Sequence, residues 1–175
     1  VRSECAIELR DLASTHGDQL WARLAASYKE GDRWLLEALG IAADGRWNER
    51  MQAWHLLVDS LVDGDRDTQA HRDILWRSRA DHTPKALVQL LTSSRSPGDS
   101  SLRYLRALQL QPESRGDPAI SSLAARLDAC ELSVAIEIAK RIDPATVRGD
   151  VALRQTIAEL VETIQVPDQV ALFVH

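Results

Sequence analysis

The residues able to act as ligands or catalysts are few, and their spacing works against them. Met51 and His55 are a thioether and an imidazole four positions apart. On a helix that spacing projects both from one side, so they cannot sit on opposite faces of a haem iron. His55 is instead within one turn of Asp59, which can orient it. The stretch DGDRD at 63–67 puts Asp63, Asp65 and Asp67 at positions 1, 3 and 5 of a calcium loop. Thr68 then stands where glycine makes the turn, and Ile74 where a bidentate glutamate closes the coordination. The stretch reads as a solvated turn with aspartate caps. Cys5 and Cys130 belong to no C-x-x-C or C-x-x-C-H pattern and are too few for a four-ligand zinc site. H-E-x-x-H, G-x-S-x-G, the phosphate-binding loop and G-x-G-x-x-G are all missing. The sequence therefore nominates no catalytic residue, no cofactor-binding residue and no metal ligand, His16, His71, His82 and His175 included.

Composition narrows the class. The chain has 175 residues, 45% of them apolar, and a net charge of -5 with acidic and basic residues interspersed. That is ordinary for a globular domain with a sizeable core. It lacks the basic stripe that neutralises phosphates, so a nucleic-acid partner is not expected. No apolar run approaches the roughly 18 residues that span a bilayer, so membrane insertion is not expected either. Val1 is not an initiator methionine, and the chain reads as one domain over 1–175 excised from a longer protein.

The elements are marked by punctuation. Six of the eight glycines precede aspartate, at 17, 31, 64, 98, 116 and 149. The pair suits a corner between helices: glycine accepts the left-handed conformation that ends one helix, and the aspartate carboxylate caps the next. Pro84 after Thr83 and Pro118 after Asp117 fit the first helical position behind a cap. Both copies of RGD, at 115–117 and 148–150, fall on these corners and need no receptor to explain them. A 3.6-residue apolar pattern fills the intervals, which predicts helices over about 2–15, 18–30, 32–44, 46–62, 67–79, 84–94, 99–110, 118–129, 131–142, 150–165 and 168–174. Strand signals are missing. Gly31 to Gly64 is 33 residues, Gly64 to Gly98 is 34, and Gly116 to Gly149 is 33. A two-helix period of that length predicts an all-α superhelix, a solenoid of about five antiparallel helix pairs, in preference to a closed bundle. In such a stack Cys5 and Cys130 lie in different layers, unbonded, with Cys5 on a buried face.

The helical segments resemble HEAT repeats. RSECAIELRDLA, GDRWLLEALGIAAD, HRDILWRSRA and DSSLRYLRALQL resemble the first helix of the repeat, and PKALVQLLTSS and PAISSLAARLDA resemble the second. Over about residues 20–92, DRWLLEALGIAADG followed by an aromatic-rich helix and ILWRSRA is similar to the HEAT-repeat section of large multidomain c-type cytochrome proteins of planctomycete-like bacteria. In those proteins a membrane-bound-dehydrogenase-type propeller, a helical-repeat segment and a haem domain share one chain. The resemblance implies a periplasmic or otherwise exported parent protein with redox chemistry next door. It implies no haem in this segment.

Five tryptophans, at 21, 34, 47, 54 and 76, crowd the first half. Trp34 and Trp76 sit among apolar helical neighbours and are expected inside. Trp47, beside the Gly45 corner, is expected to be exposed. A stack cut from a longer chain lacks polar capping repeats, so Ile7, Leu9 and Leu12 at one end and Val170, Leu172, Phe173 and Val174 at the other are, with Trp47, the expected interface residues. The function implied is a non-enzymatic scaffold that contacts other domains of its parent chain or another protein. The alternatives are a structural part of a redox enzyme that supports its haem or dehydrogenase site, and a sugar-binding or small-molecule module built on the tryptophans.

Overall fold

A computed structural model describes residues 1–60, 68–93, 101–142 and 144–165. Among the described residues all regular structure is helical, as the sequence pattern predicts, in eleven α-helices: α1 (Arg2–Glu8), α2 (Thr15–Ala26), α3 (Arg33–Ala42), α4 (Trp47–Ser60), α5 (Gln69–Arg77), α6 (Thr83–Leu91), α7 (Ser101–Gln109), α8 (Glu113–Ala124), α9 (Leu132–Ala139), α10 (Pro144–Gly149) and α11 (Val151–Gln165). None is long and apolar enough to cross a membrane. The expected segment 168–174, with Val170, Leu172, Phe173 and Val174, lies outside the described residues, as does DGDRD at 63–67.

The chain forms two compact units, Val1–Thr83 and Pro84–His175. In the first, α1 packs on α3 and α3 on α5, while α2 packs on α4. Odd-numbered helices thus form one row and α2 with α4 the other. Its core joins Trp21, Leu35, Leu39, Met51 and Trp54, all at most 2% exposed. Trp21 brings a polar handle into that core and satisfies it, donating from Nε1 to the Leu39 carbonyl at 3.0 Å. In the second unit α7, α8 and α9 pack on one another, and α9 and α10 pack against α11. Tyr104, Leu108, Leu123, Val134 and Ile138 fill that core.

Capping follows the sequence at some corners and departs from it at others. Gly31 adopts φ +87° and Asp32 accepts from Leu35 N at 3.0 Å, as a helix corner requires. Asp150 likewise accepts from Leu153 N at 3.0 Å at the head of α11. The other two described Gly-Asp pairs are not corners. Gly17 and Asp18 lie inside α2, which is capped earlier by Ser14, whose hydroxyl accepts from Gly17 N at 3.1 Å. Gly116, Asp117 and Pro118 lie inside α8, which begins after Pro112. In both cases glycine serves a close approach of backbone. A Cβ at Gly17 would collide with the Leu12 carbonyl, and one at Gly116 would sit 3.2 Å from the Leu108 carbonyl.

The first predicted helix is also divided. The chain leaves α1 at Glu8, passes through a 3-10 turn at Leu9–Asp11 and enters α2 at Thr15. Cys5, expected on a buried face, is exposed, because Ala6 and Leu9 take the inward positions. Both cysteines are free thiols.

Candidate functional site

Helix α3 is enclosed on most of its circumference by α1, α2 and α5, and Leu35, Leu36, Ala38, Leu39 and Ala42 are buried. What remains outward is Arg33 at the start of the helix and a stripe at 34, 37 and 41, the i, i+3, i+7 positions of a single face, with Asp44 following in the turn beyond. Trp34 on that stripe is 81% exposed and Ile41 is 41% exposed. The expectation that Trp34 lies inside is therefore wrong. Its apolar neighbours are the buried residues, while Trp34 itself shares a face with Glu37, with Asp44 in the turn beyond, and those two acids were the available sequence signal.

Next to this stripe is a pocket of about 360 Å³ lined by Arg10, Ile41, Asp44, Trp47, Arg77 and Arg79, with Gly40 at its wall. Four elements supply it: the 3-10 turn, the end of α3, the start of α4 and the end of α5. Arg77 reaches across α3 and donates from Nε to Glu37 Oε2 at 3.1 Å. Glycine at position 40 makes that path possible, since a Cβ there would overlap the Arg77 guanidinium. Arg79 curls back and donates from Nη1 to the Ser78 carbonyl at 2.8 Å and the Arg77 carbonyl at 3.2 Å, capping the C-terminal end of α5. Burial, helped by the neighbouring Arg77 charge, lowers the Arg79 pKa from its usual value. Arg10 is exposed and has no ion-pair or hydrogen-bond partner among the described residues.

Trp47 is the second correction. It opens α4 and folds inward, only 8% exposed, with its ring edge-on to Trp21 at 6.1 Å between centroids. The Gly45 turn, with φ +74°, redirects the chain so that residue 47 points at the core. Of the expected N-terminal strip, Ile7 and Leu12 are exposed, while Leu9 is buried against the first unit's core.

A larger depression of about 590 Å³ runs between α2 and α4. Ala22, Ala53, Leu56 and Leu57 form its apolar part. At its polar end Arg46 binds Asp18 in two-point fashion, through Nε to Oδ1 at 3.2 Å and Nη2 to Oδ2 at 2.8 Å. The fully buried Arg50 brings its Nε within 3.6 Å of the same carboxylate. Those charges hold α2 on α4, and the exposed Gln19, Arg23, Glu49 and Gln52 supply further polar lining.

The histidines gather where the sequence did not place them together. His55 on α4 lies 5.2 Å from His82 and 6.0 Å from His71 between ring centroids, and Trp54 lies 4.5 Å from His71. Among the described residues no three His, Cys, Asp or Glu side chains are placed to hold one metal ion. Burial lowers the His82 pKa from its ordinary value, against the opposing pull of Asp81.

No family model matches the chain, and no curated protein or solved structure matches it. The HEAT-repeat and cytochrome associations thus rest on sequence pattern.

Proposed function

We propose that the chain is a non-enzymatic, HEAT-like helical-repeat module that contacts other domains of a larger protein, or a second protein, through the outward stripe of α3. The observation that carries this reading is Trp34, 81% exposed on a helix whose other faces are buried. An indole left in water beside a second exposed apolar residue, Ile41, is area that binding a partner would remove from solvent. The two rows of helices in the first unit fit a repeat architecture, in which one helix of each pair presents its outer face. The resemblance stated above supports an exported redox protein with a haem domain as the setting of the module.

The test is photo-crosslinking in the full-length parent protein in its own cells. Benzoylphenylalanine replaces Trp34 in one variant and the exposed Lys29 in a control, and adducts are identified by mass spectrometry. A discrete adduct from position 34, absent from position 29, supports the interaction module. An adduct that maps to a haem-bearing domain of the same chain favours the alternative, direct support of a redox site. Equal or no labelling from both positions overturns the reading.

A further inference from the structure

The pocket beside α3 has a charge that specifies a ligand. Arg10, Arg77, Arg79 and the carboxylate of Asp44 line it, and Glu37, outside the lining, offsets Arg77 through their ion pair. Three guanidinium charges opposed by two carboxylates leave one net positive charge. The C-terminal ends of α3 and α5 open nearby, and their carbonyls add partial negative charge. A monoanion matches this balance. A dianionic phosphoryl group exceeds it.

Geometry then selects among monoanions. Arg77 engages Glu37 through Nε, which leaves the N–H groups at the far, Nη1/Nη2 end of its guanidinium outside that bond, and Arg10 has no partner among the described residues. Paired planar N–H donors are the natural complement of a carboxylate. The apolar half of the surface is offset along the helix. Ile41 is at the pocket and Trp34 is seven residues earlier on the same stripe. At 1.5 Å per residue that offset is about 10 Å. An extended peptide covers it in about three residues at roughly 3.3 Å each. A small carboxylic acid cannot touch both.

We propose that the first unit binds an acidic peptide segment, with a Glu or Asp carboxylate in the Arg10/Arg77 pocket and a large apolar side chain about three residues away against Trp34. This rests on the interaction-module reading and names the chemistry of its partner. Trp47 forms part of the pocket wall, Ile41 separates the two subsites, and Gly40 lets Arg77 lie low enough across α3 to present its fork.

The experiment uses the whole 175-residue chain and three fluorescein-labelled, end-blocked hexapeptides, read by fluorescence anisotropy. Each has a phenylalanine three positions from a glutamate, a glutamine or a phosphoserine. The glutamate peptide is expected to bind at least about tenfold more tightly than its glutamine twin, because a charge-assisted contact is replaced by a neutral one. Its binding should weaken as sodium chloride rises from about 0.05 to 0.5 M. Arg10→Gln, at an exposed position, and Trp34→Ala should each weaken it about fivefold or more while leaving the circular dichroism spectrum unchanged. Arg77→Lys, which keeps the charge and loses the fork, should weaken it as well.

Equal binding of the glutamate and glutamine peptides overturns the carboxylate assignment. Tighter binding of the phosphoserine peptide, displaced by inorganic phosphate, overturns the charge-balance argument and assigns the pocket to a phosphoryl group. No binding of any peptide at about 1 mM overturns the peptide assignment altogether. In that last case a persistent crosslink from position 34 leaves the interaction module standing, so failure of the ligand class and failure of the function are told apart.

Discussion

Asp18 and Arg46 face each other across 28 residues of sequence and close a two-point ion pair, with contacts of 3.2 and 2.8 Å. Asp18 is nearly buried and also receives the fully buried Arg50 at 3.6 Å. One carboxylate thus compensates two guanidinium groups and ties α2 to α4.

Asp18→Ala removes that compensation and leaves Arg50 a buried cation without its contacting carboxylate, with only the weaker attraction of Glu49. The expected loss is about 3 kcal/mol of unfolding free energy, the scale on which removing one member of a buried pair destabilises a protein. All five tryptophans lie within Val1–Thr83, so urea unfolding followed by tryptophan fluorescence reports this unit. A midpoint unchanged from wild type would mean that the pair contributes nothing.

The end of α2 is tied to α5 by a second buried contact. The Tyr28 hydroxyl donates to Asp73 Oδ2 at 2.8 Å, and Gln69 Nε2 donates to Oδ1 at 2.9 Å. Tyr28→Phe keeps the ring and deletes one donor to a charged acceptor, which should cost about 1.5–2 kcal/mol. The fluorescence midpoint checks this, and Gln69→Ala, at a less buried position, should cost less.

How far the sequence discloses this molecule depends on whether a signal is local. The helical period and the Asp32 cap are local: the all-α class and that cap are as the pattern predicts, while several helix bounds, such as Thr15–Ala26 and Glu113–Ala124, are shifted from it. The roles of Trp34 and Trp47 are set by neighbours far along the chain. Trp34 is outward because α1, α2 and α5 take the other faces of α3, and Trp47 is inward because the Gly45 turn aims it at Trp21. The arginine pocket was illegible for the same reason. Arg10, Arg77 and Arg79 come together only when the 3-10 turn and the end of α5 meet beside α3, and no spacing along the chain records that meeting.

The two thiols should differ sharply in reactivity. Burial pushes the Cys130 thiol up to about 11, an effect the adjacent Arg126 charge only partly offsets. At pH 8 its thiolate fraction is then on the order of one in a thousand. Iodoacetamide at pH 8 should therefore label the exposed Cys5 first and leave Cys130 largely unmodified. The rate at Cys130 should rise about tenfold per pH unit until it levels off near pH 11, provided the fold persists. Peptide mass mapping of timed samples reads both rates, and equal labelling at pH 8 would show that Cys130 is not shielded.

One dipeptide, Gly-Asp, predicts three different responses to alanine. At Gly31, with φ +87°, nothing lies within 4 Å of an added Cβ, so the penalty is purely conformational, about 1 kcal/mol. At Gly17 the backbone is ordinary helix, yet an added Cβ meets the Leu12 carbonyl, a backbone atom unable to swing aside as a side chain would. Overpacking of that kind costs about 1–3 kcal/mol and outweighs the roughly 0.5–1 kcal/mol that alanine contributes to helix propensity. At Gly149, the last residue of α10, φ is not positive and no atom lies within 4 Å of the added Cβ, so only the propensity gain remains. Gly17→Ala and Gly31→Ala should thus lower the fluorescence midpoint of the first unit. Gly149→Ala should instead slow amide hydrogen exchange in α10 and at its junction with α11. A Gly17→Ala protein as stable as wild type would mean that the turn through Leu12 gives way to the new methyl group, and the close approach would no longer explain why glycine stands inside α2.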